Sequence, residues 1–168
     1  MKSPQTSNIN TKAGFTLIEM VIVISLIAVI GGFGLFFGID SLRGYSFHSD
    51  RDTLVSTLQH ARAEAMANIC RGTDCADGGK PQGVYIDTSA RKFIVFQGTT
   101  YDPHDDNNAP VDYSQNTILP DDGSLRTIVF DQLSGNVDAP GYITINDATN
   151  VHSSKVEISD QGQILWSN

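Results

Sequence analysis

Gly14-Phe15-Thr16-Leu17-Ile18-Glu19, followed by the apolar run MVIVISLIAVIGGFGLFFGI from Met20 to Ile39, is the stretch on which the reading of this chain turns. Ahead of it, Met1–Ala13 is a polar leader holding Lys2 and Lys12 and no acid, and no charged side chain separates Glu19 from Asp40. A helix needs roughly 20 apolar residues to cross a bilayer, so the run is long enough for one span. Basic flanks stay on the cytoplasmic side, which sends the remainder of the chain outward. Glu19 at the head of the run is the anomaly. A carboxylate inside a membrane segment costs on the order of 2.5–3.5 kcal/mol even on lenient scales, and it calls for a cationic partner. A secretory signal peptide has a shorter apolar region closed by a small-residue A-x-A site, and none closes this one.

The residues GFTLIEM resemble the cleavage and methylation site of type IV pilins and type II secretion pseudopilins. The resemblance implies that a prepilin peptidase cuts after Gly14 on the cytoplasmic side and that Phe15, the new N-terminus, is N-methylated. It also implies that Glu19 pairs with the N-terminal amine of a neighbouring subunit during assembly. That amine is the cation a lone Glu19 lacks. The implied organisation is a leader over 1–14, a transmembrane and filament-core helix over 15–39, and an extracytoplasmic head over 40–168. Implied partners are other pilin or pseudopilin subunits, an inner-membrane assembly platform, the peptidase–methyltransferase and the membrane itself. The implied location is the inner membrane, with the head in the periplasm and then in a filament.

Charge agrees with an exported, soluble head. The chain carries −8, and from Asp74 onward fourteen acids face five bases. Nucleic-acid binding rests on Lys and Arg neutralising phosphates, so this balance disfavours it. It equally disfavours adhesion to anionic lipid headgroups. Cys70 and Cys75 are the two cysteines. In an exported protein so close a pair reads as a disulfide around Arg71-Gly72-Thr73-Asp74. A metal site would need two more soft ligands nearby, and a redox-active pair would be spaced C-x-x-C.

Along the chain, Gly31, Gly32, Gly34 and Gly38 interrupt the apolar run, each costing about 1 kcal/mol relative to Ala in a helix. Small residues there suit close helix–helix approach. Beyond Asp40, Leu54, Leu58, Ala61, Ala65 and Ile69 make one apolar stripe, with Val55 and Met66 beside it. Asp50, Thr57 and Glu64, at heptad spacing, read as the opposite, wet face. The helix is expected to run from Phe15 to about Ile69, roughly 80 Å at 1.5 Å per residue, and to stop at Gly72.

The second half reads as strands at Gly83–Asp87, Lys92–Gln97, Arg126–Asp131, Gly141–Asn146, Lys155–Ser159 and Gln163–Ser167. A turn at Thr88–Arg91 joins the first two and a hairpin at Asp160-Gln161-Gly162 the last two. Thr99–Leu119 reads as a polar loop in which Pro103 and Pro110 forbid regular structure. The expected fold is α+β, a long N-terminal helix packed on an antiparallel sheet. Phe130, Ser134 and Gly135 (F-x-x-x-S-G), the alternating Ile143 and Ile145, the I-S-D-Q-G-Q-I hairpin and Ala61-Arg62-Ala63-Glu64-Ala65 resemble the GspH/FimT group of minor pseudopilins and minor pilins.

No catalytic motif of the G-x-S-x-G, H-E-x-x-H or phosphate-loop type occurs. His48, His60, His104 and His152 read as solvated. Catalytic and cofactor sites are expected to be absent. Asp102, Asp105, Asp106, Asn107, Asn108 and Asp112 offer hard oxygen ligands that calcium could take, without EF-hand spacing. A pilus-tip binding or adhesion module, or a DNA-uptake minor pilin, using the 99–119 loop for recognition is the alternative function.

Overall fold

A computed structural model describes residues 14–72, 75 and 78–167, the side chains of 34–43 excepted. Residues 1–13 of the expected leader thus lie outside the described residues, as do Thr73 and Asp74 of the cysteine loop. The chain divides into two compact units, Met1–Asp40 and Ser41–Asn168. Helix α1 spans Leu17–Met66. It begins where Thr16 caps it: the Thr16 Oγ1 accepts the Glu19 N–H at 3.3 Å, and the Thr16 carbonyl accepts that of Met20. Thr-x-x-Glu is the spacing of a capping box, so the start of the helix is marked in the sequence itself.

The helix ends earlier than Gly72. Asn68 takes φ 57°, the Asn68 N–H reaches Ala65 O at 3.1 Å, and the Ile69 N–H reaches Glu64 O at 3.0 Å. These two bonds form a Schellman cap, and Asn tolerates the left-handed position better than other non-glycine residues. The apolar stripe is confirmed at Leu54, Leu58, Ala61 and Ala65, all at 0 % exposure, with Phe47 added to it and Ile69 left exposed beyond the cap.

Asp50, Thr57 and Glu64 do not face water; all three are buried. At about 100° per residue they lie roughly 40–80° from Leu54, on the flank of the same stripe. Heptad spacing keeps residues beside an apolar seam rather than across from it.

Among the described residues eight strands follow: β1 Gln82–Asp87, β2 Lys92–Gln97, β3 Ala109–Asp112, β4 Thr117–Ile118, β5 Thr127–Phe130, β6 Gly141–Asp147, β7 Ser153–Ile158 and β8 Ile164–Ser167. All pairings are antiparallel. The α+β class stands, but the strands form two four-stranded sheets, β3-β2-β1-β5 and β4-β6-β7-β8, in place of one. The chain crosses between them because β4 pairs with β6 before β5 returns to β1.

Both sheets send alternate residues toward the Phe47–Ala65 part of α1. Val84, Ile86, Phe93, Val95, Ile128 and Phe130 come from one sheet, and Ile143, Ile145, Val156 and Ile158 from the other. Each such side chain contributes about 1.5–3 kcal/mol when fully buried.

The 99–119 segment is not irregular throughout, since it contains β3 and β4. Pro110 sits within β3, the outermost strand of its sheet, where the missing N–H is tolerated. Ahead of β3 the loop packs on the outer face of the sheet. Tyr101 stacks on Tyr85 at 4.2 Å and meets Phe96 edge-on at 5.6 Å. Ile94 and Phe96 are buried there, outside the main core. Gly83 makes room for this layer, because a Cβ on it would stand 2.4 Å from Phe96 Cζ.

Candidate processing and assembly site

Gly14, Phe15 and Thr16 precede α1 in non-helical conformation. Phe15 is 79 % exposed, and among the described residues a Cβ on Gly14 would meet nothing within 4 Å. The Gly14–Phe15 bond thus lies directly ahead of the Thr16 helix cap. Glu19 lies in the first turn, where a negative charge interacts favourably with the helix dipole. Its exposed carboxylate makes no ion pair among the described residues. From Leu17 to Phe33 the large apolar side chains all stand exposed, and Ser25 folds its hydroxyl back onto Val21 O at 2.7 Å. An uncovered apolar surface of this kind marks an interaction face. Among the described residues no helix is long and apolar enough to cross a membrane. The described side chains of the expected span end at Phe33.

In the head unit, the segments singled out in the sequence meet. Arg62 donates from Nε to Gly135 O at 3.3 Å and from Nη2 to Gln161 O at 2.9 Å. The Leu133 N–H reaches Ala65 O, and the Val137 N–H reaches Asp160 O, both at 2.9 Å. Gly162 sits at φ +67°, and a Cβ there would lie 2.0 Å from Gly135 O. The A-R-x-E-A helix, the S-G turn and the D-Q-G hairpin thus form one knot tied by Arg62.

Cys70 and Cys75 are joined by a disulfide. Beside it, Arg71 pairs with Glu64, and His60 Nε2 lies 3.3 Å from the same carboxylate. Arg71 is also held through its backbone, its N–H donating to Gln97 Oε1 at 2.7 Å and its carbonyl accepting from Gln97 Nε2 at 3.2 Å.

The four histidines are exposed. His152 stacks on Phe47 at 6.0 Å between ring centres, and His104 lies 3.4 Å from Asp102. In the acidic loop, Asp102 Oδ1 accepts the His104 N–H and Asp105 Oδ1 the Asn107 N–H. Among the described residues no group of three or more His, Cys, Asp or Glu is gathered for a metal ion. Burial lifts the hydroxyl pKa of Tyr113, which stacks on Phe93 at 4.8 Å.

Residues 9–35 match the prokaryotic N-terminal methylation motif, a span containing Gly14, Phe15 and Glu19. That match supports a type IV pilin-like protein, a structural subunit and not an enzyme. The motif points to a membrane-anchored subunit of an extracytoplasmic filament that assembles with other pilins and is processed by a prepilin peptidase. Neither the curated proteins nor the solved structures contain a match to the chain.

Proposed function

We propose that the chain is a minor structural subunit of a type II secretion pseudopilus or type IV pilus. It is made as a prepilin with leader 1–14, held by a single span over 15–39 and cut after Gly14. Phe15 is then N-methylated. Glu19 pairs with the new amine of a neighbour as the subunit leaves the membrane, and residues 40–168 form the head that meets other subunits. The chain needs no cofactor for this. One observation carries the reading: an exposed, non-helical Gly14–Phe15 junction lies directly ahead of a capped apolar helix whose first-turn acid has no partner among the described residues. Convergence of the helix, S-G and D-Q-G segments on Arg62 supports a place in the GspH/FimT group, since the residues behind that resemblance form one structural unit.

Intact-mass spectrometry of the protein extracted from its native membranes tests the proposal. The expected mass is that of a chain starting at Phe15 with one added methyl group. A chain still starting at Met1, or cut beyond Ile39, would overturn it.

A further inference from the structure

Strand β5 ends its sheet, and its outer edge is open. The Ile86 N–H donates to Arg126 O at 2.9 Å. In an antiparallel ladder hydrogen-bonded and non-hydrogen-bonded pairs alternate. Along this register Val84↔Ile128 and Gln82↔Phe130 are therefore the bonded pairs. Thr127 and Val129 turn their N–H and C=O groups away from β1. One step on, Asp131 has its outward groups closed by its own turn: its N–H reaches Asn136 O at 2.9 Å, and its carbonyl accepts the Gly135 N–H at 2.8 Å. Thr127 and Val129 have no such closure among the described residues.

They open on a groove of about 240 Å³ that is also lined by Thr99, Asp131, Val137 and Asp138. Among the described residues no basic side chain lines it, and the carboxylate of neither aspartate has a partner.

We propose that this groove takes one extended segment of a different subunit of the same filament, added to β5 as a further strand. The segment carries lysine or arginine where it passes Asp131 and Asp138. Main-chain bonds to Thr127 and Val129 supply affinity, and the two carboxylates select a basic strand. A second copy fits poorly, because the chain carries net charge −8 and loses Lys2 and Lys12 with the leader, so each assembled copy is more acidic still. The choice of occupant rests on the filament reading; the groove itself does not.

The full chain in detergent micelles is titrated with a synthetic heptapeptide alternating lysine and valine, following the Thr127 and Val129 amides by NMR. Both amides should shift. Val129→Pro removes an outward N–H and leaves the β1 ladder intact, and it should weaken binding by at least about tenfold. The pair Asp131→Asn and Asp138→Asn should weaken it several-fold, and it decides the matter should the proline variant misfold. Unmoved amides, equal binding of the same peptide with glutamate for lysine, or unchanged affinity in the aspartate pair would overturn the groove.

For the occupant, a photo-crosslinking residue at position 127 in filaments of the native host should join a different subunit with a methylated N-terminus. Adducts with a second copy, or none from assembled filaments, would overturn that assignment. Failure of processing after Gly14 would remove the filament reading and leave the peptide result standing.

Discussion

Arg62 Nε donates to the carbonyl of Gly135, 73 residues away in sequence. The same guanidinium holds Gln161 through Nη2, so one helix side chain ties the turn after β5 to the β7–β8 hairpin. A lysine offers one point charge in place of a planar fork and cannot serve both carbonyls equally. Arg62→Lys should therefore destabilise the head by about 1–2 kcal/mol and Arg62→Ala by about 2–4 kcal/mol, since bonds to a charged donor are worth about 1.5–3 kcal/mol each. Gly162→Ala should be at least as damaging, because the new Cβ would overlap Gly135 O. Thermal unfolding of the three variants checks the ordering. An Arg62→Ala protein as stable as the parent would mean the knot is held elsewhere.

Asp50 fastens β4 to the helix. Its Oδ2 accepts the Thr117 hydroxyl at 2.5 Å and the Ser114 N–H at 3.0 Å. Asp50→Ala strands both donors, one of them on a buried residue, and should cost about 2–4 kcal/mol. Hydrogen exchange should show Ile118 and Asn146 opening first, because they pair across β4 and β6 and β4 is only two residues long. Protection lost uniformly across both sheets would contradict that local role.

How far the sequence could be read depended on the kind of signal. β2 was legible to the residue because Phe93–Phe96 is uniformly apolar or β-branched between Lys92 and Gln97. The Gly14–Glu19 segment was legible because it is a contiguous motif. β3 was not, since Pro110 argues against a strand and only its edge position permits it. The buried flank of Asp50, Thr57 and Glu64 was missed because polarity was read as exposure. Their partners, such as Thr117 and Arg71, come from segments that no local pattern places beside the helix. The open edge of β5 depends on which residues of a ladder exchange bonds, and only the paired register supplies that.

Stability should fall on both sides of neutrality. The Ser89 hydroxyl, then the Ala90 N–H, holds the Asp87 carboxyl below its usual range. At Asp147 burial acts to raise the value, but bonds from Thr149 and Val151 outweigh it and the net direction is down. Depressed carboxyls contribute stability above the ordinary value of about 3.9, and it is lost as pH falls through their folded values. Tyr113 moves the other way, chiefly by burial. Its contribution is complete below about pH 10 and is lost as pH rises through its folded value. Melting temperature followed against pH should fall below about pH 4 and above about pH 10. The acid limb should flatten in Asp87→Asn and Asp147→Asn; an unchanged limb would place the acid sensitivity on other groups.

The disulfide closes a loop of only a few residues, so in the chain-entropy account its loss costs about 2 kcal/mol. Arg71 is also tied to Gln97 by backbone bonds that do not run through the sulfurs. Cys70→Ser with Cys75→Ser should therefore lower the melting temperature by several degrees and leave the fold and the Glu64–Arg71 pair in place. Loss of the β1–β2 pairing in that variant, read from amide exchange, would show that the crosslink organises the sheet.

The stem makes the sharpest demand. Glu19 sits in the first turn of α1 with no ion pair among the described residues, and a carboxylate entering lipid or a filament core needs a cation. Glu19→Ala removes that need along with the specificity it supplies. It also leaves the Gly14–Phe15 junction and the Thr16 cap unaltered, because the cap uses the Glu19 backbone N–H. Processing of Glu19→Ala should therefore proceed at close to the normal level while incorporation into filaments falls at least about tenfold, the loss expected for a desolvated charge pair worth more than 1.4 kcal/mol. Gly14 replaced by a bulky residue should do the reverse and leave uncut precursor in the membrane. Two measurements separate these outcomes: the mass of the membrane-extracted chain and its amount in sheared filaments. Normal incorporation of Glu19→Ala would mean that the acid has no assembly role and that the apolar surface from Leu17 to Phe33 selects its neighbours unaided.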